Sequence, residues 1–250
     1  MKKISIRTLI VIIISLFTTI GFAQSDSTES VIDVSCDLMS RYVWRGTDFG
    51  QSPSIQPGIE YSIGGFYVGA WGAFTTNLYP VQEADLYIGY TFVDMFSLTF
   101  TDYFFPDELN PDYNYFDFDK NTTGHVFETT LSFDGTEKLP LSILFAANVW
   151  GADAQRLNSD GSVKGLQYSS YAEVAYSYKN MNIFMGLNLT TPDETLGESG
   201  YYGNTLGVVN LGITGTKNIQ LTNKYSLPLS VSLITNPQAE KIYMVAGFSF

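Results

Sequence analysis

The sequence is poor in the side chains that carry covalent catalysis and cross-linking. It contains one cysteine, Cys36, so it cannot form an internal disulfide framework. It contains one histidine, His125, and Ser132 on the same predicted strand lies too far along the chain to pair with it. No Gly-x-Ser-x-Gly motif is present, so an enzyme is not expected. A serine on a neighbouring strand leaves a membrane-embedded lipid hydrolase as a minor alternative.

Long apolar runs are absent beyond the N-terminus. The first 23 residues begin with the basic residues Lys2, Lys3 and Arg7. An apolar run follows at 9–14, and a small-x-small cleavage site lies at 21–23. This pattern predicts a cleaved signal peptide over residues 1–23, followed by a short linker over 24–30. No later segment approaches the run of about twenty apolar residues that a transmembrane helix needs.

Basic residues are scarce. The chain has 13 Lys and Arg against 25 Asp and Glu. Loss of the three basic residues of the signal leaves 10 against 25, a net charge of −15. This acidic balance argues against a nucleic-acid partner. The mean hydropathy is only +0.04, which still permits a membrane barrel, because half of each barrel strand faces a wet lumen.

The sequence is rich in aromatic residues, and apolar and polar residues alternate along many of its segments. Tyr and Phe number 17 and 18, and apolar residues occupy every second position in the last segment, at Ile242, Met244, Ala246, Phe248 and Phe250. Successive side chains of a strand point to opposite faces, so these five share one face. The pattern predicts a strand with one lipid-facing side, and a secreted sandwich is the alternative.

The same alternation predicts twelve strands and one fold class. The strands are predicted at 31–44, 55–61, 66–75, 83–92, 96–101, 127–133, 141–150, 167–178, 181–190, 206–216, 225–233 and 241–250. The orientation of 66–75 stays open because both of its faces are weakly polar. The connections expected on the periplasmic side are mostly short, at 64–65, 93–95 and 179–180, with two longer ones at 134–140 and 217–224. The connections expected on the outer side include long ones, at 106–124, 151–165 and 191–204. We therefore expect an all-β, antiparallel, up-and-down transmembrane β-barrel over 31–250, with both termini periplasmic, in the bacterial outer membrane.

Charged residues on the predicted inner faces are the first candidate site. They are expected to line the lumen and are Asp33, Asp37, Arg41, Arg45, Glu60, Asp85, Glu128 and Glu173. The first four recur at every fourth residue of the predicted first strand, which would form a ladder along the inner wall. Rings of charge at a constriction would select solutes. Alternatively, the two arginines bridge the carboxylates inside a closed barrel.

An acidic, aromatic loop at 106–124 is the second candidate site. Its acids are Asp107, Glu108, Asp112, Asp117 and Asp119, against the single Lys120. Four aromatic residues are interleaved with them, at Tyr113, Tyr115, Phe116 and Phe118. The loop could cap the mouth of the barrel or attract cations. Its spacing matches no EF-hand, so no metal is assigned. The alternative is a solvated loop whose aromatics anchor it to the rim.

Several motifs in the first third resemble the TorF family of porins. They are Ser-Arg-Tyr-Val-Trp-Arg-Gly at 40–46, Gln-Pro-Gly-Ile-Glu-Tyr at 56–61, Gly-Phe-Tyr-Val-Gly-Ala-Trp at 65–71 and Asp-Leu-Tyr-Ile-Gly-Tyr at 85–90. Where the family often has an acidic residue before the first-strand tyrosine, this chain has Arg41. The resemblance implies an outer-membrane barrel and a channel, and it supplies no catalytic residue.

Together these observations predict a passive channel for small hydrophilic solutes that uses no cofactor. The alternative is a non-conducting barrel with a structural or adhesive role. The inner faces are rich in Gly, Ser, Thr and acids, which favours a narrow channel. The expected partners are outer-membrane lipid and lipopolysaccharide, the barrel-assembly machinery through Phe250, and the solutes themselves.

Overall fold

The computed structural model describes residues 30–77, 82–106 and 114–250, which form one closed antiparallel barrel with small additions. The strands are β1 Val31–Met39, β2 Tyr42–Trp44, β3 Thr47–Phe49, β4 Ser54–Ile63, β5 Phe66–Thr75, β6 Gln82–Phe92, β7 Phe96–Phe104, β8 His125–Phe133, β9 Leu141–Gly151, β10 Gln155–Leu157, β11 Val163–Leu166, β12 Ser170–Tyr178, β13 Met181–Asn188, β14 Gly207–Thr222, β15 Tyr225–Asn236 and β16 Lys241–Ser249. A single 3₁₀ turn spans Glu194–Leu196 within these ranges. No helix of the described ranges is long and apolar enough to cross a membrane.

Twelve of these strands make the barrel wall. Their order around it is β1, β4, β5, β6, β7, β8, β9, β12, β13, β14, β15 and β16, and β16 pairs with β1 to close the ring. The predicted all-β barrel of about twelve antiparallel strands is confirmed. Its position in a membrane and the periplasmic side of its termini stay predictions. The predicted signal peptide and most of the linker lie outside the described residues.

The wall is apolar outside and polar inside. Large apolar side chains such as Ile32 and Met244 are 69% and 73% exposed on the outer face, whereas Glu83 and Glu128 are buried inside. This is the reverse of a water-soluble protein, in which such carboxylates would lie at the surface. An outer face of this kind is suited to contact with lipid.

The structure gives β5 its orientation, which the sequence left open. Tyr67 is paired with Gly89 and Gly69 with Tyr87, and both tyrosines lie on the inner face. The Tyr67 hydroxyl lies 2.6 Å from Thr99 Oγ1 of β7, on the far side of β6. A Cβ at Gly69 would lie 2.3 Å from the Tyr87 hydroxyl. Each tyrosine therefore crosses a glycine of the next strand, and neither glycine can carry a side chain without displacing it.

The two ends of the barrel differ as predicted. One end carries the connections at 64–65, 93–95, 134–140, 179–180 and 223–224. The opposite end carries longer connections, which join β1 to β4, β7 to β8, β9 to β12 and β13 to β14, and it also carries shorter ones at 76–81 and 237–240. One predicted loop is wrong: residues 217–222 continue β14 and pair with β15. The alternation of apolar and polar residues continues through 217–222, so the β14–β15 hairpin is longer than the neighbouring strands.

The predicted first strand, 31–44, is also wrong. It ends at Met39, and β2 and β3 form a separate hairpin that pairs with neither β1 nor β4. Arg45 and Gly46, which join them, have φ of 48° and 81°. Positive φ at both central residues defines the type I′ turn that closes a two-residue hairpin. The alternation from Val31 to Trp44 hides this turn, because it runs without a break from the wall into the hairpin.

Candidate functional site in the lumen

The β2–β3 hairpin folds into the barrel and contacts strands β14 and β15 of the wall. A Cβ at Gly46 would lie 1.9 Å from the carbonyl oxygen of Val209 in β14. Asn236 Nδ2 of β15 donates a hydrogen bond to the Gly46 carbonyl at 3.2 Å. At its base, Arg41 and Asp48 form an ion pair between the two ends of the hairpin. The hairpin therefore projects into the lumen from the β1–β4 side.

Arg45, at the tip of the hairpin, binds Glu128 of β8 across the bore. Its Nη2 donates to Glu128 Oε1 at 2.9 Å and its Nη1 donates to Glu128 Oε2. Their side chains are 9% and 0% exposed. A buried ion pair is tolerated only when the remaining acceptor positions also find partners. This level of the lumen is consequently filled by protein.

Three hydroxyl groups complete the coordination of the Glu128 carboxylate. Tyr103 and Thr130 donate to Oε1 at 3.0 and 2.8 Å, and Tyr202 donates to Oε2 at 2.8 Å. Burial raises the pKa of the Tyr202 hydroxyl, so it stays a neutral donor at physiological pH. With the two bonds from Arg45, the carboxylate accepts five hydrogen bonds. Its charge is therefore fully compensated although it is buried.

Aromatic rings surround the Arg45 guanidinium. Its Cζ lies 4.4 Å from the ring centroid of Trp44, 4.7 Å from that of Tyr171 and 5.2 Å from that of Tyr202. Cation–π contacts of this kind are worth about 2 kcal/mol when desolvated. The rings come from the hairpin, from β12 and from the connection between β13 and β14. Three parts of the chain thus converge on one arginine.

Tyr42, at the other end of β2, interacts with acids of β6. Burial, together with the nearby Glu83 carboxylate, raises the pKa of the Tyr42 hydroxyl above its usual value. Glu83 and Asp85 follow each other on the inner face and are 1% and 5% exposed. Tyr42 also packs against Trp71 of β5, with ring centroids 5.6 Å apart. The hairpin is thus held at its tip and at its base.

Residues 23–136 match the model of Gcw_chp, a family described as bacterial protein of unknown function. No curated protein matches the chain in sequence. Among solved structures, the NanC porin in a rhombohedral crystal form is similar to it, with 10% sequence identity and a TM-score of 0.45. That alignment covers 87% of this chain and 98% of the porin chain. These similarities assign no role to an individual residue, and the resemblance to TorF stays a prediction.

The predicted lumen carboxylates lie on strands of the wall. Cross-strand pairing puts Asp33 opposite Glu60, and Asp37 opposite the inward, buried Gln56. Glu60 accepts a bond from the Tyr87 hydroxyl at 3.1 Å, and Glu173 of β12 lines the cavity below the hairpin. The selective role of these residues stays a prediction.

The predicted charge ladder along the first strand is wrong, because Arg41 lies beyond the end of β1 and Arg45 forms the turn of the hairpin. The sequence also gave no sign of Tyr202, which lies in a connection without periodicity. Tyr103 and Tyr171 can be found from the strand alternation. Both occupy inward positions of their strands, in register with Val126 and Ala146. A tyrosine on the inner face is a natural donor to a buried carboxylate.

A cavity of about 450 Å³ lies in the lumen next to the hairpin. Its lining residues are Val43, Trp44, Arg45, Thr99, Tyr103, Thr130, Leu144, Tyr171, Glu173, Phe184, Asn210 and Ile234. They combine aromatic surface with a few polar groups, as binding cavities for small molecules do. Below the Arg45–Glu128 pair the lumen is therefore open enough to hold a small molecule.

The described part of the acidic loop contacts the outer wall of the barrel. His125 is fully buried, shares the outer face with Asp102, and lies 2.8 Å from that carboxylate through Nδ1. Phe118 stacks on its ring at 4.5 Å, and His125 Nε2 lies 2.6 Å from the Tyr115 carbonyl oxygen. His125 therefore anchors the loop and has no free nitrogen with which to activate a nucleophile.

The acids of this loop form no metal site in the described ranges. Asp117 is partly exposed and Asp119 is exposed, and they accept backbone N–H bonds at 3.0 and 2.9 Å in local turns. A hydrogen bond from Thr122 lowers the pKa of Asp117. Among the described residues, no group of three or more His, Cys, Asp or Glu could hold a metal ion. Asp107, Glu108 and Asp112 lie outside the described residues, so the role of the loop at the mouth stays a prediction.

Replacing Gly46 by alanine should displace the hairpin from the lumen. The new methyl group would lie 1.9 Å from the Val209 carbonyl oxygen, at a φ of +81° that alanine disfavours. We expect a lower free energy of unfolding, by about 1–3 kcal/mol. Urea unfolding in lipid vesicles, followed by tryptophan fluorescence, measures this change. Gly161→Ala is the matched control, because that glycine has a φ of +80° and nothing within 4 Å of an added Cβ. Equal effects of the two substitutions would contradict the docking of Gly46 against β14.

Proposed function

We propose that the protein is an outer-membrane channel for small hydrophilic solutes, narrowed by the β2–β3 hairpin. The observation that carries this proposal is a polar lumen obstructed by an element that is not part of the wall. Wall strands are held by ladder bonds on both sides, whereas β2 and β3 pair only with each other. The hairpin can therefore leave the bore without opening the barrel. The apolar outer face supports residence in lipid, and the motif resemblance to TorF porins supports a channel.

A non-conducting barrel is the second candidate, and the same contacts favour it. The Arg45–Glu128 pair fills the bore at one level and buries both charges. An isolated buried carboxylate is costly, so the hairpin leaves the lumen only if water or another cation reaches Glu128. Single-channel conductance in planar bilayers separates the two candidates. We expect small, infrequent openings for the unaltered protein and larger ones for Gly46→Ala. No conductance from either protein would support the structural barrel.

The channel should favour cations. The salt bridges within the described ranges use Arg41, Arg45, His125 and Arg156, and none of them includes Asp33, Asp37, Glu60 or Glu173. The lumen carboxylates therefore outnumber the uncompensated cations, and their potential raises the local cation concentration. Reversal potentials across a KCl gradient should show cation preference that weakens with salt, because screening shortens to about 3 Å at 1 M. Anion preference would mean that Arg45 dominates the constriction.

Location is tested separately from conduction. The mature chain should be recovered in the outer-membrane fraction, and its migration on gels should change on heating. Barrels of this kind keep their wall hydrogen bonds in detergent until they are heated. Recovery as a soluble periplasmic monomer would contradict the membrane assignment.

A further inference from the structure

We propose that the lumen cavity binds a small solute that carries an ammonium or guanidinium group, with Glu173 as its counter-charge. The inference deepens the proposed function, since the channel is the route by which such a solute reaches the cavity. The cavity measures about 450 Å³, within the range of small-molecule sites.

The site lies on one row that crosses four strands. Leu144 of β9 is paired with Glu173 of β12, Glu173 with Gly186 of β13, and Gly186 with Asn210 of β14. These four residues share the inner face and are neighbours along this row. Gly186 is required in this row, because a Cβ there would lie 1.8 Å from the Tyr171 hydroxyl. The row is thus indented at its centre, and Tyr171 can reach across to the amide of Asn210.

Glu173 is held in place but is not neutralised. Its Oε2 accepts a bond from the Tyr171 hydroxyl and another from Asn210 Nδ2 at 2.9 Å. Its Oε1 has no hydrogen-bond partner within the described part of the chain. Neither of the two donors is charged, so no ion pair in the described part of the chain compensates this carboxylate at the cavity wall. A carboxylate that is oriented by neutral donors and lacks an ion-pair partner is suited to receive a cation.

Asn210 orients Glu173 through its side-chain amide. Its Nδ2 must face Glu173, because a carboxylate can only accept, so the amide oxygen Oδ1 points away. Oδ1 is buried and has no hydrogen-bond partner within the described residues. A buried acceptor without a partner costs about 1–3 kcal/mol, and Oδ1 is too deeply buried to meet a ligand in the cavity. The Asn210 amide therefore orients Glu173, and the Glu173 carboxylate is the group that receives the ammonium group.

The positive charge near the cavity is already compensated. Arg45 lines the cavity, and both of its Nη atoms donate to Glu128. An anionic solute would therefore meet the unpaired Glu173 and no free cation. Apolar and aromatic surface from Leu144, Phe184 and Ile234 faces the remaining space and suits a short carbon chain. The chemistry thus selects an aliphatic amine over an acid.

Binding of 1,4-diaminobutane to the folded barrel in detergent, measured by isothermal titration calorimetry, tests the site. 1,4-Butanediol is the neutral probe of the same length. We expect saturable binding of the diamine that is at least about tenfold tighter than that of the diol, since a hydrogen bond to a charged group is worth more than one between neutral groups. Equal affinities, or no saturable binding of the diamine, would overturn the proposal without the use of any variant.

Glu173→Gln should weaken diamine binding about tenfold or more, because it removes the charge and keeps the shape. Glu60→Gln is the matched control, since Glu60 is an inner-face carboxylate bonded to Tyr87 that does not line this cavity. It should change the affinity less than about twofold. Equal losses of diamine affinity in both variants would mean that the diamine responds only to the overall negative potential of the lumen. That result would contradict a specific site at Glu173. Diamine binding without conductance would contradict the proposed channel but support the binding site. Conductance without diamine binding would support the channel but contradict the binding site.

Discussion

Replacing Arg45 by methionine is expected to destabilise the folded barrel by about 3–5 kcal/mol, since removing one partner of a buried ion pair leaves the other charge uncompensated. Glu128 is fully buried, and three of its five donors are neutral hydroxyl groups that cannot replace the lost charge. Methionine keeps much of the length of the side chain, so loss of packing contributes little. Chemical unfolding in lipid vesicles measures the change in the free energy of unfolding.

Two further variants isolate the charge from the loss of contacts. Arg41→Met removes an ion pair whose arginine is 39% exposed although its partner Asp48 is 5% exposed, so water reaches one side of this pair and the cost should be smaller than that of Arg45→Met. The double variant Arg45→Met, Glu128→Gln removes the stranded charge and should recover a large part of the lost stability. If Arg45→Met costs no more than Arg41→Met, then the Arg45–Glu128 pair does not lie in a water-excluded part of the lumen.

The same variant also bears on conduction. Without its ion pair at the tip, the hairpin is held by the hydrogen bond from Asn236, the packing of Gly46, the ring contacts of Trp44 with Tyr103 and Tyr202, and the contacts at its base. We therefore expect Arg45→Met to open more often than the unaltered protein in planar bilayers. An altered stability with no conductance in either protein would favour the structural barrel.

The wall could be predicted because lipid on one face and water on the other require apolar and polar side chains to alternate along each strand. Ile32, Leu86 and Met244 lie on the outer face, and Glu60, Asp85 and Glu128 lie on the inner face, as alternation alone predicts. Whether a side chain faces inward or outward depends only on whether its position along the strand is odd or even, which can be read from the local sequence.

The plug of the lumen could not be predicted in the same way. The β2–β3 hairpin continues the alternation of β1, so parity gives no sign that the chain has left the wall. The Arg45-Gly46 turn was the available signal, and glycine in the second central position of a tight turn supports it. The partners of Arg45 lie in β8, β12 and the connection before β14, which are far apart in the sequence. Only closure of the barrel brings them together.

Replacing Leu86 by arginine is the sharpest test of what the outer wall contacts. Leu86 lies in the middle of β6, faces outward and is 50% exposed. In lipid, an arginine near the bilayer midplane of a barrel costs about 2–4 kcal/mol. In water, a substitution at an equally exposed position stays within about 0.5 kcal/mol. The two environments therefore predict different free energies of unfolding for one variant.

Thr91→Arg is the matched control for Leu86→Arg, because it adds the same charge to the same strand on the opposite face. Thr91 lies near the short-turn end of β6, and its Oγ1 lies 3.0 Å from Ser97 Oγ across the inner surface. An arginine there can extend into the wet lumen, so we expect a cost of about 1 kcal/mol or less. Urea unfolding of both variants in vesicles decides between the environments. A Leu86→Arg cost no larger than that of Thr91→Arg would mean that the outer face meets water, and the barrel would then have to be a soluble one.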